Sequence, residues 1–492
     1  MPYKPLNLDE AAEWAGMWWL LDDVDNQIPG ILRYDGNGGL LLSLIGAFED
    51  RITSNPAPGV TIYHEGVRTW DVIHGVAEHR EVTLLGCVRT GVKRTYGARV
   101  KSPDTQTVRA TIAIIGVHIS GKEDSAFARA SVSVEDLGHW AALYALEGSL
   151  RISDDNGDET GTISTMSIET QTVTVDGMEY ELVHAFTRPF FDHRKGGTVG
   201  RMRDIAFIRV CRAEAFTLSD ALEAASLMQD LIALATHRAA GLIWLQLEVA
   251  GPEQVLPNGK TLPRRRADVL YSPIAIGKHD AKAVASENLF FTCETLPFEE
   301  VVSRWCEVHS RLKAAMNMIL GLGYAPARFV ENNLLTAVGA AEVLHRSLDI
   351  DEKPFREETF TSMRDAMLKQ VPKEHRSRIK AAIRNDPTLR DRLHSLAGRP
   401  DSEAIAQLVP DIDYWAKRTT QARNHLAHTG TSTDSIDELI AIVKATTAVV
   451  ILNVLHELGL SAEQQRKIVQ DHPTLRYTAG LARERLVASE TD

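Results

Sequence analysis

The sequence predicts an α+β multidomain protein, with a β-rich N-terminal region followed by an all-α helical bundle. Three observations carry that prediction. Near Pro297 the hydrophobic repeat changes from two-residue alternation to three- and four-residue spacing. The length, 492 residues, exceeds what one hydrophobic core organises. Charge divides at about the same place: residues 1–300 hold 28 Lys+Arg against 41 Asp+Glu, and residues 301–492 hold 26 against 25. The expected domains are residues 1–295 and 296–492.

In the first domain, β-branched or alternating runs recur at Gly30–Tyr34, Leu40–Ile45, Thr69–Ile73, Val82–Val88, Val108–Val117 and Phe127–Val134. Turn chemistry separates them. Asp35-Gly36-Asn37-Gly38-Gly39 joins two runs, Asn156-Gly157 sits in a polar loop, and Asp176-Gly177 divides Thr170–Val175 from Met178–Leu182 as a hairpin would. Helices are expected at Glu135–Leu146 and Leu218–His237, then a strand at Leu242–Val249. Pro252–Arg266, with three prolines and Arg264-Arg265-Arg266, reads as a surface loop.

In the second domain, Val301, Trp305, Val308, Leu312, Met316 and Ile319 mark one helix face. A second helix over Phe329–Leu348 carries Leu334, Leu335, Val338, Ala341 and Leu344. Asp386-Pro387 opens a short helix and Gly398 closes it. Ser435-x-x-Glu438 and Ser461-x-x-Gln464 have the form of capping boxes, the first ahead of a long apolar helix ending near Gly459.

Composition narrows the function. Hydrophobic residues at 44% and charged residues at 24% are ordinary globular values. A net charge of −12 counts against a protein that coats nucleic acid non-specifically, because phosphate binding needs clustered cations. A local basic site stays open: residues 361–400 hold ten cations against four anions. Cys87, Cys211, Cys293 and Cys306 are scattered without a CxxC pair, which predicts reduced thiols and no zinc module. The N-terminus is acidic where a signal peptide needs an apolar run, and Ala445–Leu455 is too short to span a bilayer. A cytoplasmic protein without membrane contact is expected.

Several chemistries find no motif: there is no GxxxxGK[ST], GxSxG or HExxH. Asp154-Asp155-Asn156-Gly157-Asp158 fails as a calcium loop, since Gly157 at loop position six puts Ile152 at position one. It reads as a hairpin turn. The best candidate is Arg423-Asn424-His425-Leu426-Ala427-His428. An Arg followed five residues later by His occurs three times, so context must choose. Arg188/His193 contains Pro189 and reads as loop. Arg304/His309 encloses Trp305, Cys306 and Val308 on a core-facing helix and reads as structural. Around Arg423, the residues Ile412, Trp415, Thr419, Ala422 and Leu426 form one stripe at helical pitch. Arg423 flanks that stripe by about 70°, and His428 points about 150° away from it. Asn424 shares the exposed face with His428, and Thr429-Gly430 ends the helix.

An R-polar-x3-H motif near a helix end, followed by a long apolar helix in an α bundle, resembles the HEPN ribonuclease domain. The Phe329–Arg346 helix, with Glu342-Val343-Leu344-His345-Arg346, and the Trp415-to-His428 run look like the Apea-like HEPN branch. The N-terminal part, with Trp18-Trp19 and Pro29-Gly30-Ile31-Leu32 leading to Leu44-Ile45-Gly46, is similar to that family's N-terminal domain.

The resemblance implies a metal-independent endoribonuclease, needing no cofactor, that acts in anti-phage defence by abortive infection. Its catalytic residues here would be Arg423, Asn424 and His428. Cleaving RNA through its own 2′-OH needs a proton acceptor and donor near neutral pH, which suits His428. It also needs a fixed cation over the phosphorane charge, which suits Arg423. Asn424 would orient His428 or bond a phosphate oxygen. Glu342, His345 and Arg346 would support the site from a neighbouring helix, and Arg376, Arg378, Lys380 and Arg384 would track the RNA backbone. The implied partners are RNA, tRNA among them, a phage-derived trigger acting on the N-terminal region, and a second copy of the chain.

Other readings stay open at the level of residues. Arg423 and His428 also fit a solvated helix end. His425 and His428 with Asp411 and Asp413 begin a metal set that nothing completes. The basic stretch also fits a solvated amphipathic surface. In place of a nuclease, the bundle could be a catalytically silent HEPN module that binds nucleotides or a protein. It could also serve only to dimerise a β-domain recognition protein.

Overall fold

Alternation along the first strands decides how they close. In a computed structural model of the protein, every residue is described except 1–3, 49–51, 59, 65–67, 94–101, 153–158, 253–254, 257, 260, 351–352, 433 and 489–492. The strands β1 (Ala12–Leu20), β2 (Asp23–Tyr34) and β3 (Leu40–Ile45) run as an antiparallel meander, followed by a separate hairpin of β4 (Ile52–Ala57) and β5 (Val60–His64). Next come β6 (Thr69–Ala77), β7 (Arg80–Lys93) and β8 (Thr105–Ala110). The order β7-β6-β1-β2-β3-β8 returns on itself because β8 also pairs with β7, which closes a barrel without free edges. Leu40, Leu42 and Leu44 alternate inward along β3, opposite buried Val108 and Ala110 on β8.

Trp18 fills the barrel. It is fully buried, its indole N–H donates to the Gly30 carbonyl at 3.2 Å, and a Cβ on Gly75 would come within 2.4 Å of its ring. The strand leaving the barrel turns at Thr111. Its N–H and hydroxyl both donate to the Leu85 carbonyl, at 3.0 and 2.9 Å. Gly86 opposite has φ +60°, and a Cβ there would stand 2.4 Å from the Thr111 hydroxyl, so the corner requires glycine.

Beyond the corner, β9 (Ile112–Ile115) pairs with β7 and carries the sheet on from the barrel as an antiparallel extension. This extension contains β10 (Phe127–Val134), β13 (Gln171–Val175), β14 (Met178–Phe186), β17 (Asp204–Phe216), β18 (Leu242–Val249) and β19 (Arg266–Tyr271). Its order is β13-β14-β17-β10-β18-β19-β9. Two hairpins stand apart, one of β11 (Leu146–Ile152) and β12 (Glu159–Thr165), the other of β15 (Phe190–Arg194) and β16 (Gly197–Arg201). Helix α2 (Leu218–Thr236) begins in a full capping box, Thr217 with Asp220, and packs on β10, β17 and β18.

The helix expected at Glu135–Leu146 is only one turn, α1 (Leu137–Ala141). Asp136 and Ala142 take left-handed backbone angles, φ 61° and 57°, which stop it at both ends, and β11 starts at Leu146. Arg188/His193 is not all loop either, since His193 lies in β15. The turn expected at Asp154–Asp158 lies outside the described residues. So do several positions of the loop expected over Pro252–Arg266.

The chain divides into two compact units, Met1–Ser303 and Arg304–Asp492. The division falls inside α3 (Phe298–Tyr324), whose first residue, Phe298, packs edge-on against Trp140 within the first unit, ring centroids 6.3 Å apart. The second unit is helical: α4 (Val330–Ser347), α5 (Glu357–Lys369), α6 (Arg376–Ala382), α7 (Leu389–Ala397), α8 (Ser402–Leu408), α9 (Ile412–Thr429), α10 (Ile436–Glu457), α11 (Ala462–Asp471) and α12 (Pro473–Arg485). A fold class of a β-rich region followed by an all-α bundle is thus borne out.

Helix α10 is apolar on nearly every side and is the centre of this unit, packed by α4, α7, α9 and α12. It is long and apolar enough to cross a membrane, yet 72% of its most apolar window is buried in the protein, as in the core helix of a soluble one. Ser461 and Gln464 form the expected reciprocal box. Ser435 caps α10 through the Glu438 N–H, but the Glu438 carboxylate turns to Arg418 instead. Helix α7 starts from a Thr388–Asp391 box, with Pro387 just outside it, where Asp386-Pro387 was the expected opening. Arg304 donates to the Leu458 carbonyl at 3.0 Å, so it braces the end of α10.

Candidate functional site

Helix α9 carries Arg423, Asn424 and His428. Asp411 caps its start by accepting the Tyr414 N–H at 2.8 Å, and Gly430, at φ 71°, closes its end. Trp415, Ala416, Thr419, Ala422 and Leu426 are buried, so the polar residues between them are turned outward or sideways. Arg423 is at the margin of that stripe, with its side chain 36% exposed, and His428 is fully on the solvent side in the last turn.

A second helix fixes the arginine. Glu342 on α4 accepts from Arg423 Nη2 at 3.1 Å, and Asn424 Oδ1 accepts from Nη1 at 3.2 Å. The Glu342 side chain is only 18% exposed, and its other oxygen lies 3.8 Å from Arg346 one turn along α4. One carboxylate therefore stands between two guanidinium groups, and in this partly buried setting the pair orients the Arg423 fork more than it stabilises the fold. Packing between α4 and α9 brings the carboxylate there across 81 positions of sequence. His345, also expected to support the site, is buried on α4 at 3% exposure.

Asn424 is spent on Arg423 rather than on His428, which stays exposed at the helix end. Five residues of helix separate Arg423 from His428, a rise of about 7.5 Å and a turn of about 140°. One α9 thus presents a fixed cation and an accessible imidazole in different directions.

The basic stretch divides in two. Arg376 donates from Nε to the Val371 carbonyl at 2.8 Å and from Nη2 to the Lys369 carbonyl at 3.3 Å, so it braces the link between α5 and α6. Arg378, Lys380 and Arg384 are exposed. The two helices pack on each other and bury little beyond Phe360, leaving Met363, Met367 and Ile379 at the surface.

Arg418 was not among the residues expected to matter. It donates to Glu438 at 2.8 Å and to Asp434 at 2.5 Å, tying α9 to the start of α10 just before the motif. These partners raise its pKa against the opposing effect of burial. Its spacing from Glu438 crosses a loop, so no sequence pattern marks it.

Among the described residues one group could hold a metal ion by distance, Glu179, Glu181 and Cys211. Its chemistry argues otherwise. Arg209 pairs with Glu181 at 2.7 Å, and the Cys211 thiol donates to Glu179 at 3.1 Å. Burial, with those two carboxylates, pushes the thiol up to about 12, which disfavours the thiolate a metal needs. None of the four cysteines is in a disulfide.

Two family models match the sequence. Residues 13–305 match ApeA N-terminal domain 1, more than half of the chain, and residues 335–464 match Apea-like HEPN, a span that contains Glu342 and the whole of α9. No curated protein and no solved structure matches.

Proposed function

The chain belongs to the ApeA family of anti-phage defence HEPN proteins, and from that premise we propose that it is a metal-independent endoribonuclease restrained by its N-terminal unit. The observation that carries the proposal is the fixed Arg423 fork, held by Glu342 and Asn424, on the helix that exposes His428. In the reaction, His428 takes the proton of the ribose 2′-OH, and the 2′-oxygen attacks the adjacent phosphorus. Arg423 stabilises the negative charge that collects on the equatorial oxygens. The P–O5′ bond breaks, a protonated imidazole returns a proton to the leaving 5′-oxygen, and the products end in a 2′,3′-cyclic phosphate and a 5′-hydroxyl.

The motif on one α9 supplies one catalytic imidazole, His428, and one catalytic guanidinium, Arg423, pointing apart. Two copies placed with α9 facing α9 would supply an acid, a base and two cations to one cleft, so the active form is a homodimer or a larger even assembly. Exposed Arg378, Lys380 and Arg384 lead the RNA, tRNA among its classes, toward that cleft. A phage-derived trigger acting on residues 1–303 releases the restraint in the cytoplasm and halts the host's translation.

A second reading has its own support. The Glu342–Arg423 pair neutralises the guanidinium, as it would in a catalytically silent HEPN module that binds a nucleotide or a protein. Infected cells expressing the wild-type chain, Arg423→Ala or His428→Ala separate the two. The nuclease reading expects RNA fragments and growth arrest with the wild type alone. Equal protection by all three chains points to the silent module.

A further inference from the structure

The β15–β16 hairpin is basic and aromatic within an acidic unit. Residues 188–201 contain Arg188, Arg194, Lys195 and Arg201, with Asp192 as the sole carboxylate, whereas residues 1–300 as a whole have 28 cations against 41 anions. Asp192 is already paired with Arg194 at 2.7 Å. Two phenylalanines are left in solvent on it, Phe190 at 64% and Phe191 at 61% exposure.

Strand register sorts these residues by face. Phe190 stands opposite Arg201, Asp192 opposite Val199, and Arg194 opposite Gly197. Alternation therefore gathers Phe190, Arg201, Val199, Arg194 and Asp192 on one face, where Asp192 offsets only the Arg194 it pairs with and leaves Arg201 without a carboxylate on this hairpin. The other face holds Phe191, whose ring lies across Gly200, where an added Cβ would meet it at 3.1 Å, and His193, bonded to the Thr198 hydroxyl at 2.9 Å. Only the first face joins an exposed ring to two guanidinium groups.

We propose that the Phe190–Arg194–Arg201 face of this hairpin binds single-stranded nucleic acid. A base stacks on the Phe190 ring, and the phosphates on either side meet Arg201 and Arg194. The charge favours this partner over a protein surface, because an exposed phenylalanine needing only apolar contact gains nothing from four cations. The hairpin lies wholly in the N-terminal unit, and its ligand binding does not depend on the nuclease reading.

The test is fluorescence anisotropy of the full-length chain with a 12-nucleotide 2′-O-methyl oligouridine, which resists cleavage through its 2′-oxygen, with oligothymidine and a 12-base-pair duplex beside it. Both single strands are expected to bind more tightly than the duplex. Phe190→Ala should weaken binding by about fivefold to a hundredfold, the span of one lost base stack. Arg194→Glu with Arg201→Glu should weaken it and flatten its salt dependence. All these side chains are exposed, so circular dichroism should stay that of the wild type. If the hairpin variants bind as the wild type does, while Arg378→Glu with Lys380→Glu abolishes binding, the hairpin is not the site. Failure of the wild type to bind either single strand overturns the proposal and leaves the phenylalanines to a protein partner. Equal losses from Phe191→Ala and Phe190→Ala would overturn the choice of face.

Discussion

Helix α9 and the α5–α6 arm are both basic, and the fold treats their cations in opposite ways. On α9, Arg418 and Arg423 are each held by carboxylates from another part of the unit, Asp434 and Glu438 for the one and Glu342 for the other. On the arm, Arg378, Lys380 and Arg384 extend into solvent, while Arg376 is tied to backbone carbonyls of the arm itself and Arg364 lies over the Phe360 ring. The difference separates two tasks. A cation that stabilises a transition state must already be in position, since any reorganisation subtracts from the gain. A cation that gathers a polyanion can stay mobile, because counterion release does not require a fixed geometry.

Several measurements would break or sharpen that contrast. The largest effect belongs to the fixed cation. Arg423→Lys keeps the charge but loses the planar fork that Glu342 and Asn424 hold, and RNA cleavage should drop by about a hundredfold or more. If lysine serves as well, fixed geometry is not what matters there. Next is Arg418→Ala, which strands Asp434, a side chain only 5% exposed, and should lower the stability of the unit by about 2–3 kcal/mol in urea unfolding. A comparable cost for Arg378→Ala would erase the contrast.

Glu342→Gln should lower cleavage by about tenfold while the melting temperature stays nearly unchanged, since the residue orients Arg423 rather than supporting the core. Charge reversal at Arg378, Lys380 and Arg384 should be milder still in cleavage at low salt. It should appear mainly as a shallower dependence of RNA binding on salt.

The smallest effect is in the barrel unit. Burial holds His74 and His184 below the usual imidazole range, so both are neutral in the folded chain. Their contribution to stability is complete above an unfolded imidazole value of about 6.5 and declines as pH falls below it. Thermal melts across that range should show the N-terminal unit losing stability first, and His74→Gln should flatten the trend.

Legibility in the sequence followed the range of the interactions. Leu40–Ile45, Phe127–Val134 and Leu242–Val249 are strands with the expected limits, because alternation and flanking turns are local signals. The strand Asp204–Phe216 went unrecognised, since its half-buried polar Arg209 and Cys211, its exposed run Arg212–Ala215 and its bulged pairing with β10 blur the period. Barrel closure between β7 and β8 and the corner at Gly86 depend on pairings that no short window contains. At the site, residue spacing predicted the outward direction of His428, and family resemblance pointed to Glu342. The contact of Glu342 with Arg423, and the whole of the Arg418 clamp, come from helix packing alone.

The central claim is most directly tested by incubating end-labelled RNA with the purified full-length chain in excess EDTA, beside His428→Ala. The account predicts fragments ending in 2′,3′-cyclic phosphate from the wild type, and at least about a hundredfold fewer from the variant. Cleavage that EDTA abolishes, or that His428→Ala leaves unchanged, would contradict it.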